Sequence, residues 1–235
     1  MTFARSLVFF VCFQALTLAL AIISLILFWA PTMWILKIAR VWSFTTLVLL
    51  DKICGLKYRI RGQANVPTHP YIMASKHQSA WETVAYQYLF GPTNFMFKKE
   101  LIFIPFFGYV LWKSGNVMVN RGSTTKSGLA KMMEKIKDIL RTRNLVIFPE
   151  GTRKSPGANP DYKSGLATIA KAIPGSFVLP VAVNSGRFWK KGGFMKYPGT
   201  IEVVIGKPLN TDDFDSRQAL TTKVEAAIEE NMKSI

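Results

Sequence analysis

The chain has 235 residues, a length typical of one domain with an accessory segment. It carries a formal net charge of +16 but only two histidines and two cysteines, which excludes a disulfide framework and argues against a metal site. No zinc-finger, helix-turn-helix or ribonucleoprotein signature is present. We therefore expect no nucleic-acid partner. We expect the basic charge to bind an anionic membrane surface or an anionic substrate.

The first 50 residues differ from the rest in charge, since they contain only Arg5, Lys37 and Arg40 as charged side chains. Residues 7–29 are free of charge and apolar. At about 1.5 Å per residue, such a helix spans a hydrocarbon core of about 30 Å. A secretory signal peptide is the alternative, but its apolar part is shorter, so we expect a retained transmembrane helix.

A second apolar segment follows Pro31. Residues 32–50 place apolar side chains at helical spacing, with Lys37 and Arg40 away from that stripe. This helix either crosses the membrane or lies in its interface. The two charges near its middle favour the interfacial arrangement.

Basic residues also predict the orientation in the membrane. Four of them lead from the second apolar segment into the body: Lys37, Arg40, Lys52 and Lys57. The positive-inside rule then places the body in the cytoplasm. We expect a membrane anchor over residues 1–52 and a cytoplasmic domain over residues 53–235, at a bacterial inner membrane.

Beyond the anchor, short apolar runs alternate with amphipathic segments. The predicted strands are residues 58–61, 71–74, 93–97, 117–119, 145–148, 177–183 and 200–205. The predicted helices are residues 81–89, residues 123–143, a helix after Tyr162, and most of residues 212–232, the last one exposed. This alternation predicts an α/β domain with a central, mostly parallel sheet flanked by helices.

The first polar motif, His77 to Glu82, follows the predicted strand 71–74. Two residues five apart on one helix point about 140° away from each other. They meet only if His77 lies in the strand-to-helix turn and Glu82 reaches back. The carboxylate would then fix the imidazole tautomer, leaving the other nitrogen to accept a proton from a hydroxyl. The alternative is a solvated loop histidine, with Glu82 favouring a helix N-terminus.

Two further polar loops follow predicted strands, at Asn120-Arg121 and at Glu150–Arg153. Sites in parallel sheets form on loops at the strand ends, so both arginines could converge near His77. Arginine binds phosphate with two parallel hydrogen bonds, and Gly151 lets backbone N–H groups approach an anion. Taken singly, Arg121 is typical of a surface residue and Glu150–Arg153 of a turn with an internal ion pair.

Together these motifs resemble the 1-acylglycerol-3-phosphate acyltransferases, the PlsC-like phospholipid acyltransferases. The resemblance covers about residues 55–210 and follows the family's order. Its four blocks are His77–Glu82, Gly115–Arg121, Phe148–Arg153 and Val178–Val183. Lys98–Leu101 and Lys163–Gly165 are also similar to family features. Glu82 stands where the family usually has aspartate, so the His77 ring would be held from slightly further away.

The resemblance implies transfer of a fatty acyl group from an acyl thioester to the sn-2 hydroxyl of 1-acylglycerol-3-phosphate. The donor would be acyl-CoA or acyl carrier protein, and the product phosphatidic acid. No cofactor, metal or covalent acyl-enzyme is required. The partners would be the lipid bilayer, the lysophospholipid acceptor and the thioester donor.

The resemblance also implies roles for individual residues. His77 would be the general base and Glu82 its orienting partner. The side of the site that binds the acceptor phosphate would comprise Arg121, Glu150, Gly151, Thr152, Arg153, Lys98 and Lys163. Within it, Glu150 would hold Arg153 rather than touch substrate. Pro180 would shape the acyl or thioester pocket, or lie in a plain core strand.

Two other functions fit the same sequence. One is an acyltransferase of this family that acts on another lysolipid, such as a lyso-ornithine lipid. The other is a non-catalytic membrane protein that binds anionic lipid. The second predicts that His77→Ala leaves function intact.

Overall fold

The computed structural model describes residues 1–103, 107–119 and 125–235. The strands are β1 (Leu56–Arg61), β2 (Ile72–Ser75), β3 (Thr93–Lys98), β4 (Val117–Val119), β5 (Asn144–Ile147), β6 (Phe177–Val183), β7 (Gly199–Ile205) and β8 (Leu209–Asn210). The helices are α1 (Thr2–Ile26), α2 (Thr32–Leu49), α3 (Trp81–Leu89), α4 (Phe107–Lys113), α5 (Lys126–Ile139), α6 (Gly165–Lys171) and α7 (Arg217–Met232). A π-helical turn, Leu50–Cys54, extends α2.

The strands form one sheet in the order β1-β7-β6-β2-β5-β3-β4, and β8 pairs with β6. The five neighbours β6, β2, β5, β3 and β4 are all parallel. Strand β7 runs antiparallel to β6, while β1 runs parallel to β7. The predicted mostly parallel sheet is therefore confirmed.

Alternating side chains of the central strands enter two separate cores. In β2, Met73 packs with α3 and the start of the chain, whereas Ile72 and Ala74 pack with α5, α6 and α7. Neighbouring β6 alternates in the same way, with Leu179 in the first core and Val178 in the second. This period of two is that of a strand covered on both faces, which explains why apolar residues occupy successive positions in both strands.

The C-terminal helix differs from its prediction. We expected it over most of residues 212–232 and exposed, but α7 begins at Arg217, where the Ser216 side chain caps it by accepting from Ala219 N. One face is fully buried, through Leu220, Val224 and Ile228. The expectation was wrong because these apolar positions, spaced by four, form a stripe that packs on β6.

The helix predicted over residues 123–143 is shorter in the structure. Thr125 caps α5 by accepting from Gly128 N at 3.1 Å, and the helix ends at Ile139. Residues 123 and 124 lie outside the described residues. The other predicted strands and the helix at residues 81–89 agree with the structure to within two residues.

The two N-terminal helices are long and apolar enough to cross a membrane. Helix α1 spans Thr2–Ile26 rather than the predicted residues 7–29, because residues 27–29 form a turn before Pro31. Both helices also pack on the body: Lys196 N donates to Ser6 Oγ at 2.9 Å, and Ser43 Oγ donates to Val84 O at 2.5 Å. The division into an anchor and a domain stays a prediction.

Candidate functional site

The site lies where three neighbouring parallel strands end. Because β6, β2 and β5 are adjacent and parallel, the loops that follow them meet at one edge of the sheet. His77 follows β2, the Phe148–Arg153 block follows β5, and Ser185 follows β6. Segments far apart in sequence are thereby brought together.

His77 lies in the turn between β2 and α3, and Glu82 lies in the first turn of α3. The Glu82 side chain is fully buried and reaches back, so that its Oε2 is 3.5 Å from His77 Nδ1. The two side chains therefore meet in the way that their spacing required. The distance is longer than a good hydrogen bond, as catalytic contacts often are without substrate.

The Glu82 carboxylate is held by donors on three sides. Its Oε1 accepts from Gln78 N at 3.1 Å, and both oxygens accept from Ser79 N at 3.1–3.2 Å. The Ser185 hydroxyl also donates to Oε1 in a short hydrogen bond. Donors from two loops thus orient the carboxylate at the N-terminus of α3.

The His77 ring is fixed by stacking as well as by Glu82. It lies on the Phe148 ring with 3.8 Å between centroids and 13° between planes. Because Nδ1 faces Glu82, Nε2 is the nitrogen available to accept a proton. The His77 side chain is 11% exposed, so only a small part of the ring is open to a substrate.

The backbone of His77 is clamped by the third block. Its N–H donates to Glu150 Oε1 at 3.2 Å, and its carbonyl accepts from Lys154 N at 2.9 Å. The loop after β5 therefore sets the position of the histidine from both sides. This clamp gives Glu150 a contact that the sequence did not indicate.

Glu150 is buried, and burial raises the pKa of its carboxyl, while the Lys76 ammonium 3.6 Å away opposes that rise. No ion pair joins Glu150 to Arg153 in the described part of the chain, so the expected internal pair is absent there. Instead, Glu150 Oε2 lies near the Lys76 ammonium, and Glu150 Oε1 accepts from the His77 N–H.

A model of the acyltransferase family matches residues 57–184, more than half of the chain. The chain belongs to the acyltransferase family. A 1-acyl-sn-glycerol-3-phosphate acyltransferase of Pseudomonas aeruginosa is 36% identical over 197 residues, covering 83% of this chain and 76% of that relative. The Escherichia coli enzyme of the same name is 31% identical over 142 residues, covering 58% and 56% of the two chains.

A solved structure also resembles the chain. The 1-acyl-sn-glycerophosphate acyltransferase PlsC of Thermotoga maritima superposes with a TM-score of 0.81 over 100% of this chain and 97% of its own. The two sequences are 22% identical, so this likeness shows a shared fold. The resemblance that the four motifs indicated is confirmed by the family match.

The other residues expected at the acceptor phosphate lie less close together in this acyltransferase than His77 and Glu82 do. Arg153 is half-buried and Thr152 is exposed in the loop after β5. Gly151 has φ of +66°, which favours glycine, and its N–H closes the turn by donating to Phe148 O at 2.9 Å. Arg121 lies outside the described residues.

Two lysines were expected on the same side of the site. Lys98 is exposed at the end of β3, which is separated from β2 by β5. The Lys163 side chain is 64% exposed and pairs with Asp161 at 2.8 Å, while its backbone N–H donates to Pro149 O. Neither side chain contacts His77 or Glu82, and the roles of both lysines stay predictions.

Pro180 is buried inside β6, opposite Ala74 of β2. It lies where β6 passes from its pairing with β8 to its pairing with β7, so its missing N–H leaves no ladder position empty there. Its carbonyl accepts from Gly206 N at 2.8 Å. This placement fits the alternative of a core strand.

Several residues that build the candidate site were not predicted from the sequence. Ser185 binds Glu82, and Gly186 N donates to Gln78 Oε1 at 3.1 Å, so the loop after β6 holds the His77 turn twice. Behind that turn, the buried Lys76 pairs with Glu229, whose side chain is 30% exposed. The signal in the sequence for Ser185 was a hydroxyl two residues after an apolar strand. Among the described residues, no cluster of three or more His, Cys, Asp or Glu side chains could hold a metal ion.

Proposed function

We propose that this acyltransferase transfers a fatty acyl group from an acyl thioester to the sn-2 hydroxyl of 1-acylglycerol-3-phosphate, giving phosphatidic acid. The observation that carries the proposal is the buried contact between His77 and Glu82 beside the Arg153 loop. Relatives that carry the name of this activity support the choice of acceptor.

The chemistry follows from the held histidine. His77 Nε2 takes the proton of the acceptor hydroxyl while its oxygen attacks the thioester carbonyl. The new ester C–O bond forms, the C–S bond breaks, and the imidazolium returns its proton to the leaving thiolate. Glu82 stabilises the imidazolium, and no cofactor is needed because the thioester is the co-substrate.

The proposal is tested with membranes from cells that express the protein, beside membranes from cells carrying an empty vector. Acyl-CoA and acyl carrier protein thioesters are each offered with 1-acylglycerol-3-phosphate or with lyso-ornithine lipid. Phosphatidic acid formed above the empty-vector level from either donor supports the proposal. Product from lyso-ornithine lipid alone would reject the phosphate acceptor, and no product from any pair would reject acyl transfer.

Arg153→Ala should raise the KM for 1-acylglycerol-3-phosphate by about 10-fold or more and leave kcat within a few-fold. A guanidinium that binds the acceptor phosphate contributes roughly 1.5–3 kcal/mol, and tenfold in an equilibrium constant corresponds to about 1.4 kcal/mol. The rates are measured over a range of acceptor concentrations at saturating thioester. Arg141→Ala is the matched control, because Arg141 is exposed, pairs with Asp138 at 3.9 Å and precedes β5, at the opposite edge of the sheet. An unchanged KM in Arg153→Ala would remove Arg153 from the phosphate site.

We also propose that α1 and α2 anchor the protein and that the body faces the cytoplasm. Both helices are long and apolar enough, and basic residues gather between α2 and the body. A C-terminal tag should then resist protease added to intact spheroplasts and be digested after the membrane is broken. Digestion in intact spheroplasts would place the body on the other side.

A further inference from the structure

Lys76, the residue before His77, is a buried cation behind the site. Its side chain is 4% exposed, and its ammonium lies 2.6 Å from Glu229 Oε1 and 3.6 Å from Glu150 Oε2. It also lies 5.5 Å from the centre of the Tyr162 ring. A buried charge costs several kcal/mol unless it is paired. Lys76, Glu150, Tyr162 and Glu229 therefore act together, and we call them the Lys76 cluster.

The cluster connects the C-terminal helix to the loops of the site. Glu229 lies on α7, Lys76 follows β2, and Glu150 and Tyr162 lie in the long connection after β5. Tyr162 Oη donates to Glu229 Oε1 at 2.8 Å. Burial, and then this bond to Glu229, raise the pKa of the Tyr162 hydroxyl well above its usual range, so the hydroxyl stays protonated and keeps donating.

The cluster holds one lysine between two carboxylates, and the two compete for it. Glu229 takes the nearer place, and Glu150 Oε2 has no hydrogen-bond partner among the described residues. The other oxygen of Glu150 accepts the His77 N–H at 3.2 Å. Without the negative charge of Glu229, Lys76 would be drawn to Glu150 and would pull its carboxylate away from the His77 amide.

We propose that Glu229 is a positioning residue, which holds Lys76 away from Glu150 and so leaves Glu150 free to fix the backbone of His77. The effect on rate rests on the proposed acyl transfer, but the effect on the His77 amide does not. Glu229 touches no reacting atom, and it acts through Lys76 and Glu150.

The test uses Glu229→Gln, which keeps an oxygen for Tyr162 and removes only the charge. The chain has two histidines, so labelling with [15N]histidine gives two backbone amide signals. His69→Gln identifies which signal belongs to His77. In Glu229→Gln the His77 proton signal should move to lower frequency, as expected for loss of a bond to a carboxylate, while the His69 signal stays.

The kinetic expectation is a kcat lower by about 10-fold to 100-fold with the acceptor KM unchanged within about twofold, since small displacements of a reacting group cost this much. Glu229→Asp restores the charge on a shorter side chain and should recover part of kcat. Glu230→Gln is the matched control, because Glu230 is the next residue, is exposed and pairs with Lys233 at 2.7 Å. It should change neither the amide signal nor kcat.

Several outcomes decide the proposal. A His77 amide signal that does not move in folded Glu229→Gln would overturn it, whatever the activity. A lower kcat that Glu230→Gln reproduces would also overturn it. If Glu229→Gln does not fold, Glu229→Asp is the second variant, because its shorter side chain draws the charge back from Lys76. It should shift the His77 signal in the same direction by less, and an unmoved signal in folded Glu229→Asp would overturn the proposal. If the wild type transfers no acyl group, the proposed function fails while the amide measurement still decides the role of Glu229.

Discussion

His77→Ala is expected to lower kcat for acyl transfer by about 10³-fold, within the range that general base catalysis contributes. The acceptor KM should stay within about threefold, because the side chains that we propose for the acceptor phosphate are unchanged in this variant. The structural reason is that His77 Nδ1 lies 3.5 Å from Glu82 and its ring stacks on Phe148, which leaves Nε2 for the hydroxyl. Initial rates with purified protein at saturating thioester measure the effect.

The other histidine is the matched control for this prediction. His69 is exposed in the loop that precedes β2, so it lies at the opposite edge of the sheet from His77. Its ring contacts Phe177 with 4.9 Å between centroids. His69→Ala should therefore keep the wild-type kcat. If His77→Ala kept that rate as well, general base catalysis by His77 would be rejected, and another group would have to take the proton of the acceptor hydroxyl.

Much of the fold could be predicted because its strands are local and strongly patterned. The apolar run Phe177–Val183 is β6 without a change of boundary, and residues 81–89 are α3. Central strands of a parallel sheet are buried on both faces, so they stand out as continuous apolar runs. The helix α7 was placed wrongly on the surface, because its stripe of apolar residues was not counted as a buried face.

The order of the strands in the sheet could not be predicted from these local patterns. Strand β6 lies between β2 and β7, and this neighbourhood alone brings Ser185 to Glu82, 103 positions away in the sequence. The contact of Lys76 with Glu229 spans 153 positions and depends on α7 packing on β6. Such contacts follow from tertiary packing, so a single sequence predicts the His77–Glu82 pair but not the residues that hold it.

Glu82→Gln is expected to lower kcat by about 10²-fold to 10³-fold, since removing the charge that orients a catalytic histidine has large effects in related arrangements. The amide has one acceptor oxygen in place of two. In one orientation its NH₂ group would face the N–H donors of Gln78 and Ser79, and those hydrogen bonds would be lost. In the other orientation the NH₂ group would face His77, and the contact with Nδ1 would be lost. The acceptor KM should change little, so kcat and kcat/KM should fall together. A wild-type kcat in Glu82→Gln would show that the carboxylate is not needed.

Glu82→Asp restores the residue usual in the family and should lower kcat by only about 10-fold. The shorter side chain cannot reach His77 and the Ser185 hydroxyl at the same time, while Glu82 contacts both. Ser185→Ala should therefore lower kcat in the wild type but cost little more in the Glu82→Asp background. The coupling is measured from the two single variants and the double variant. Additive losses would mean that Ser185 and Glu82 act independently. The hydrogen bond between them would then not explain the longer side chain at position 82.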